Sequence, residues 1–222
     1  MITGIHHRAP GGERSQALVV MLAGVGIEAS EFSERGFVGV LQERNPSVDV
    51  IATRPDLDLY LDGNLAAALH RDVVDPALMQ GYSRLWLLGI SLGGMGALHY
   101  ASIHPVEIEG LILLAPFLGT QGTVAEISAA GGLAAWSAAD SVSTAIERRV
   151  LLWLKDFLAR RPERPALYLG YGSADRFAEG HRMLAELMPS EHVVTTEGGH
   201  DWPTWLTLWQ RVLDATSLVK RP

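Results

Sequence analysis

The sequence predicts an α/β chain built on a mostly parallel, doubly wound sheet of about six strands with helices on both faces. Three observations carry that expectation. Short apolar, β-branched runs recur along the chain, stretches of helical spacing separate most of them, and one run leads directly into a glycine-rich turn and helix.

In chain order, the run Ala17–Ala23 is followed by helical spacing over Glu31–Glu43, and Val48–Ala52 is followed by Leu61–Val74. Leu85–Ile90 leads into Leu92–Ile103, after which come the runs Gly110–Ala115 and Ala166–Gly170, the helical stretch Phe177–Met188, and a last run at His192–Thr196. Each run is short enough for a strand, and its near-continuous hydrophobicity predicts burial on both faces, as in a parallel sheet covered by helices. The longest connection, from about Phe117 to about Leu152, is rich in Ala, Ser and Gly. Residues 118–150 therefore read either as a small helical cover over a pocket or as a helix-rich insertion with small residues at its bends. In sheets of this kind the chemistry is expected on loops beyond the carboxyl ends of the strands.

At 222 residues and 48% hydrophobic content the chain supports one sizeable core, so residues 1–222 are expected to form a single domain. A formal charge of −7 with no basic block argues against nucleic acid and anionic membrane surfaces as partners. With no cysteine, disulfides, thiolate nucleophiles and Cys-ligated zinc are excluded. The opening residues Met1–Arg8 lack the basic and apolar regions of a secretory signal, and no apolar run is long enough to span a bilayer, so a cytoplasmic location is expected.

The run Leu85–Ile90 continues into Gly89-Ile90-Ser91-Leu92-Gly93-Gly94-Met95-Gly96-Ala97, a G-x-S-x-G pattern at a strand-to-helix junction. A nucleophile on such a turn adopts strained backbone angles, so its neighbours two residues away on either side must lack side chains. Gly89 and Gly93 meet that demand. Ser91 is the candidate nucleophile, and the helix N-terminus that follows makes the Leu92 N–H an expected donor to a developing oxyanion. Glycines at 93, 94 and 96 disfavour a helix, a cost that is explained if the helix must approach the sheet closely. The competing reading, a cofactor-binding glycine turn, lacks its fingerprint after the first run, where Gly24-Val25-Gly26 continues to Ala29 without a third glycine.

A serine hydroxyl needs a base, usually a histidine held by a carboxylate. Of eight histidines, His200 is best placed, since it follows the last run in the loop Glu197-Gly198-Gly199-His200-Asp201-Trp202-Pro203. His6, His7, His70, His99, His104, His181 and His192 are read as solvated or partly packed. The run Ala166–Gly170 exits into Tyr171-Gly172-Ser173-Ala174-Asp175, which makes Asp175 the candidate carboxylate, with Asp201 and Asp140 as rivals and a helix N-cap as its other reading. The second oxyanion donor is assigned to the loop after the first run, as the Val25 N–H, with Gly24 and Gly26 beside it. Gly24 and Trp202 are the expected substrate contacts, Trp202 because it neighbours His200. Trp205 and Trp209, four residues apart on one helical face, are assigned to the core.

These residues resemble the α/β-hydrolase superfamily and, within it, the esterase D-like serine carboxylesterases. The resemblance rests on Gly89–Leu98, Asp175 after its strand, and Gly198-Gly199-His200-Asp201-Trp202, and it covers most of the chain from Ala17 onward. The chain departs from the family where Ala23-Gly24 replaces a frequent His-Gly and where Ile90 precedes the nucleophile, and neither an N-terminal antiparallel extension nor a large cap is evident. The resemblance implies hydrolysis of a small-molecule carboxylic ester through an acyl-enzyme, by a Ser91–His200–Asp175 triad with no metal or cofactor. A thioesterase or acyltransferase using the same triad, or a non-catalytic ligand-binding relative, are the alternatives.

Overall fold

The computed structural model describes residues 1–11, 15–137, 145–160 and 164–219. Its strands are β1 (Gly4–His7), β2 (Ala17–Leu22), β3 (Val48–Thr53), β4 (Arg84–Ile90), β5 (Gly110–Leu114), β6 (Ala166–Gly172) and β7 (Val193–Thr196), in the sheet order β1-β3-β2-β4-β5-β6-β7. All neighbours pair in parallel except β1, which runs antiparallel to β3 with Gly4 opposite Thr53. Among the described residues the sheet thus has seven strands rather than about six, and a short N-terminal antiparallel strand is present where none was expected. β1 escapes a pattern-based reading because three of its four residues are exposed, so no alternation marks it.

The α-helices are α1 (Glu31–Glu34), α2 (Phe37–Arg44), α3 (Leu57–Leu61), α4 (Leu65–Leu69), α5 (Asp75–Met79), α6 (Leu92–Ile103), α7 (Gln121–Ala129), α8 (Ile146–Arg160), α9 (Ala178–Ala185) and α10 (Trp202–Ala215). Two expected helices are broken. The stretch 31–43 is interrupted at Gly36, whose φ of 85° restarts the chain as α2. The stretch 61–74 divides at Gly63 and then widens from α4 into a π-helical turn, His70–Val74. The expected cover region contains α7 and the start of α8, while 138–144, including Asp140, lie outside the described residues.

Burial on both faces follows from strand alternation. Leu18, Val20 and Leu22 of β2 join one core with α4, α6 and α8, and Ala17, Val19 and Met21 join the other with α2 and α10. Every β2 residue is buried. This strand is also where the winding reverses, because the chain passes from β2 to β3 on one side and later to β4 on the other. The crevice between the carboxyl ends of β2 and β4 is the topological switch point, the place where open α/β sheets hold ligands. Among the described residues, no helix is long and apolar enough to cross a membrane.

Candidate active site

β4 ends at Ile90, and α6 begins at Leu92, leaving Ser91 alone to turn the chain. Its backbone is held at φ 54° and ψ −119°, an uncommon conformation for a residue with a side chain. Neighbours hold it there. Its N–H donates to the Leu114 carbonyl at 3.1 Å, and its carbonyl accepts from the Phe117 N–H at 2.8 Å, tying the turn to the end of β5. The glycines around it are required by space: a Cβ on Gly93 would lie 2.1 Å from the Leu22 carbonyl oxygen, and one on Gly24 would lie 3.0 Å from both Ser91 Cβ and the Ile90 carbonyl oxygen. Gly93 therefore lets α6 touch the end of β2, whereas a Cβ on Gly96 would meet Leu65 and Tyr60, so that glycine serves contact between helices instead.

The structure brings Ser91, His200 and Asp175 together from the ends of three parallel strands. His200 Nε2 is 2.9 Å from Ser91 Oγ, and His200 Nδ1 is 2.7 Å from Asp175 Oδ2. A carboxylate only accepts, so Nδ1 carries the proton and Nε2 presents its lone pair to the serine hydroxyl. The Asp175 side chain is 0% exposed. Burial alone would raise its carboxyl, but the hydrogen bonds from His200 and the Phe177 N–H, with the charge of nearby imidazoles, hold it below the ordinary carboxylate range. Its two oxygens divide the work: Oδ1 accepts from the Phe177 N–H at 2.8 Å and fixes its own loop, leaving Oδ2 for the imidazole. α9 starts at Ala178, one residue later than the spacing predicts, with Phe177 as its N-cap.

The rival Asp201 is engaged elsewhere. Its Oδ1 accepts from the Thr204 N–H at 3.0 Å and from the Thr204 hydroxyl at 2.7 Å, capping α10. The loops bearing Asp175 and His200 are laced together by Ser173 N–H to the Thr196 carbonyl and Ala174 N–H to the Gly198 carbonyl, at 2.8 and 3.0 Å.

Ser91 and His200 open onto a cavity of about 410 Å³ walled by Val25, Ile27, Leu92, Phe117, Phe177 and Trp205, with Arg176 as the cation at its edge. The Leu92 N–H, at the first position of α6, has no intrahelical acceptor, and Val25 faces the same cavity from the loop after β2. Gly24 lies directly behind Ser91. The structure does not bring Trp202 to the cavity wall: its ring packs edge-on against Phe32, Phe37 and Trp205 at 5.9, 5.4 and 5.3 Å. Trp205 is buried in the core as expected and is also the indole that meets His200, at 5.0 Å and nearly perpendicular, with Phe177 on the ring at 5.1 Å. Phe117, Arg176 and Phe177 were not singled out from the sequence, although each lies just beyond the end of β5 or β6, where such residues are to be sought.

Comparison with known proteins accords with this geometry. No curated protein matches the chain in sequence. Among solved structures, the fluorophosphonate-binding serine hydrolase F (FphF) of Staphylococcus aureus aligns over 100% of this chain and 99% of its own at 14% identity, with a TM-score of 0.66. The S-formylglutathione hydrolase FrmB of the same organism aligns over 99% and 97% at 13% identity and a TM-score of 0.64. A monoacylglycerol lipase of Paleococcus ferrophilus aligns over 99% and 98% at 18% identity and a TM-score of 0.61. These likenesses establish the α/β-hydrolase fold. The Hydrolase_4 family model, described as serine aminopeptidase, S33, matches residues 66–206, the stretch that holds Ser91, Asp175 and His200. The chain belongs to this serine aminopeptidase S33 family and is a hydrolase of the α/β-hydrolase fold.

Proposed function

We propose that the chain hydrolyses carboxylic esters of small molecules through an acyl-enzyme on Ser91. The observation that carries this reading is the unbroken line of hydrogen bonds from Asp175 Oδ2 through His200 to Ser91 Oγ, 2.7 and 2.9 Å long, ending at an apolar cavity. Ser91 Oγ attacks the ester carbonyl carbon as its proton passes to His200 Nε2. The carbonyl oxygen gains negative charge facing the Leu92 and Val25 N–H groups. Collapse breaks the carbon–oxygen bond to the leaving group, which departs as an alcohol with the proton from His200. Water then gives a proton to His200 and attacks the acyl carbon, and the carboxylic acid leaves as Ser91 regains its hydrogen. Asp175 holds the imidazole in the required tautomer throughout and stabilises the imidazolium.

An ester suits the cavity better than an N-terminal peptide does. An aminopeptidase must hold a substrate ammonium, whereas the charged side chain at the cavity edge is Arg176, and no carboxylate stands among its described wall residues. Ester and thioester acyl groups enter alike.

Intact mass after treatment with an activated fluorophosphonate tests the nucleophile without assuming a substrate. One adduct on the wild type, absent from Ser91→Ala, is expected; a folded wild type that takes no adduct points to a binding protein instead. A panel of nitrophenyl esters, matched thioesters and aminoacyl nitroanilides then assigns the leaving group, and faster turnover of the anilides would overturn the ester reading.

A further inference from the structure

At the end of α6 opposite Ser91, three side chains to which the sequence reading gives no function converge from separate elements. His70 opens the π-helical turn, His104 is the C-cap of α6, and Glu107 closes a 3-10 turn, Pro105–Glu107. His70 Nδ1 lies 3.3 Å from Glu107 Oε2, and His104 Nδ1 lies 3.2 Å from Glu107 Oε1. One ligand atom from each of the three falls within 4.8 Å of the others. The imidazoles stack face to face, with centroids 4.5 Å apart and 2° between their planes, so both Nδ1 edges turn toward the same carboxylate.

Two imidazole nitrogens and one carboxylate oxygen form the donor set with which zinc commonly keeps a fourth position for water. Nitrogen donors favour a borderline transition ion over magnesium or calcium, which take oxygen ligands. One supporting contact is of the kind that orients a metal ligand: the fully buried Tyr100 donates its hydroxyl hydrogen to Glu107 Oε2, leaving Oε1 for an ion, whereas its 3.1 Å contact with His70 Nδ1 must give way when that nitrogen turns its lone pair to the ion. His70 is the first residue of the π turn, a feature that concentrates at functional sites. The ligating side chains keep 22–33% of their surface exposed, so an ion has access. We propose that His70, His104 and Glu107 form a binding site for a divalent transition-metal ion of the zinc class. The site does not depend on the ester reading, since α6 has twelve residues and separates it from the nucleophile by about 18 Å.

The test uses the full chain, stripped with a chelator and titrated with cobalt(II) and, separately, with zinc by equilibrium dialysis. The proposal expects one ion per chain, the intense visible absorption of four-coordinate cobalt, and a zinc-dependent rise in Tm. His104→Gln and Glu107→Gln, checked for folding by circular dichroism, should each weaken binding at least tenfold, and Tyr100→Phe about tenfold through loss of the supporting contact. A His6→Gln, His7→Gln double variant should bind as the wild type does. Failure of the wild type to take up either ion overturns the proposal. So does uptake unchanged in both ligand variants, or uptake lost in the His6, His7 variant.

Discussion

His181 Nε2 donates a hydrogen bond of 2.8 Å to the carbonyl of Pro116, joining a helix after β6 to the turn after β5. The imidazole is 0% exposed and sits against the Tyr171 ring. Pro116 precedes Phe117, whose N–H holds the Ser91 carbonyl, so a buried histidine with no direct contact to Ser91 braces the turn that carries it.

Burial holds the His181 imidazole below its ordinary value of 6.5. The folded protein therefore keeps this ring neutral where the unfolded chain protonates it, and the unfolded state binds more protons below pH 6.5. Stability contributed by the neutral ring is fully present above that value and declines as pH falls toward the folded pKa. Urea midpoints measured just above and well below pH 6.5 should fall more steeply for the wild type than for His181→Gln; parallel pH profiles would remove His181 as the cause.

Asp175→Asn should leave the fold intact and lower kcat/KM by about 10⁴-fold, as loss of tautomer control does in other triads. Asp201→Ala, at the cap of α10, should instead cost about 1 kcal/mol of stability with turnover nearly unchanged. Steady-state kinetics and denaturant melts on the two variants separate the roles, and an interchange of the two phenotypes would reassign the carboxylate.

Gly93→Ala places a methyl group 2.1 Å from the Leu22 carbonyl oxygen, where backbone rather than a movable side chain must yield. We expect a loss of about 3 kcal/mol, together with a large fall in turnover as the Ser91 turn parts from the loop after β2. Chemical denaturation at wild-type midpoint would contradict the close approach.

Trp205→Ala and Trp202→Ala should both cost stability, Trp205 the more because it is buried in the core, but should differ in their kinetics. Removing the Trp205 ring opens the cavity wall beside His200, and kcat/KM for apolar acyl esters is expected to fall by tenfold or more. Removing Trp202 deletes a half-buried ring packed on Phe32 and Phe37, and about 2 kcal/mol of stability should be lost with kinetics close to wild type. A substrate series of increasing acyl length reads the first effect, and equal kinetic losses in both variants would count against the assignment.

How far the sequence led depended on where each signal resides. The buried strands and the limits of α6 were legible because unbroken hydrophobicity and the demands of the Ser91 turn are properties of the local chain. Ser91, Asp175 and His200 were selected by their positions after strands, and parallel pairing in register carries those strand ends to one edge of the sheet. The choice between Trp202 and Trp205 was not legible, since it depends on the rotation with which α10 docks on α1 and α2. His181 was read as solvated or partly packed for the same reason: nothing within its own helix reveals that Pro116 covers it. The breaks in the helical stretches 31–43 and 61–74 needed the positive φ values of Gly36 and Gly63 and the π turn at His70, which periodicity does not report.

The sheet ends on both sides in strands of four residues, β1 and β7. An edge strand offers unpaired backbone groups to any neighbouring chain, and its capacity to template further pairing grows with its length. Here each border presents barely a dozen ångströms of ladder by the usual rise per residue. The longer strands of the sheet are enclosed between these short ones, so little ladder is left at either border for edge-to-edge pairing.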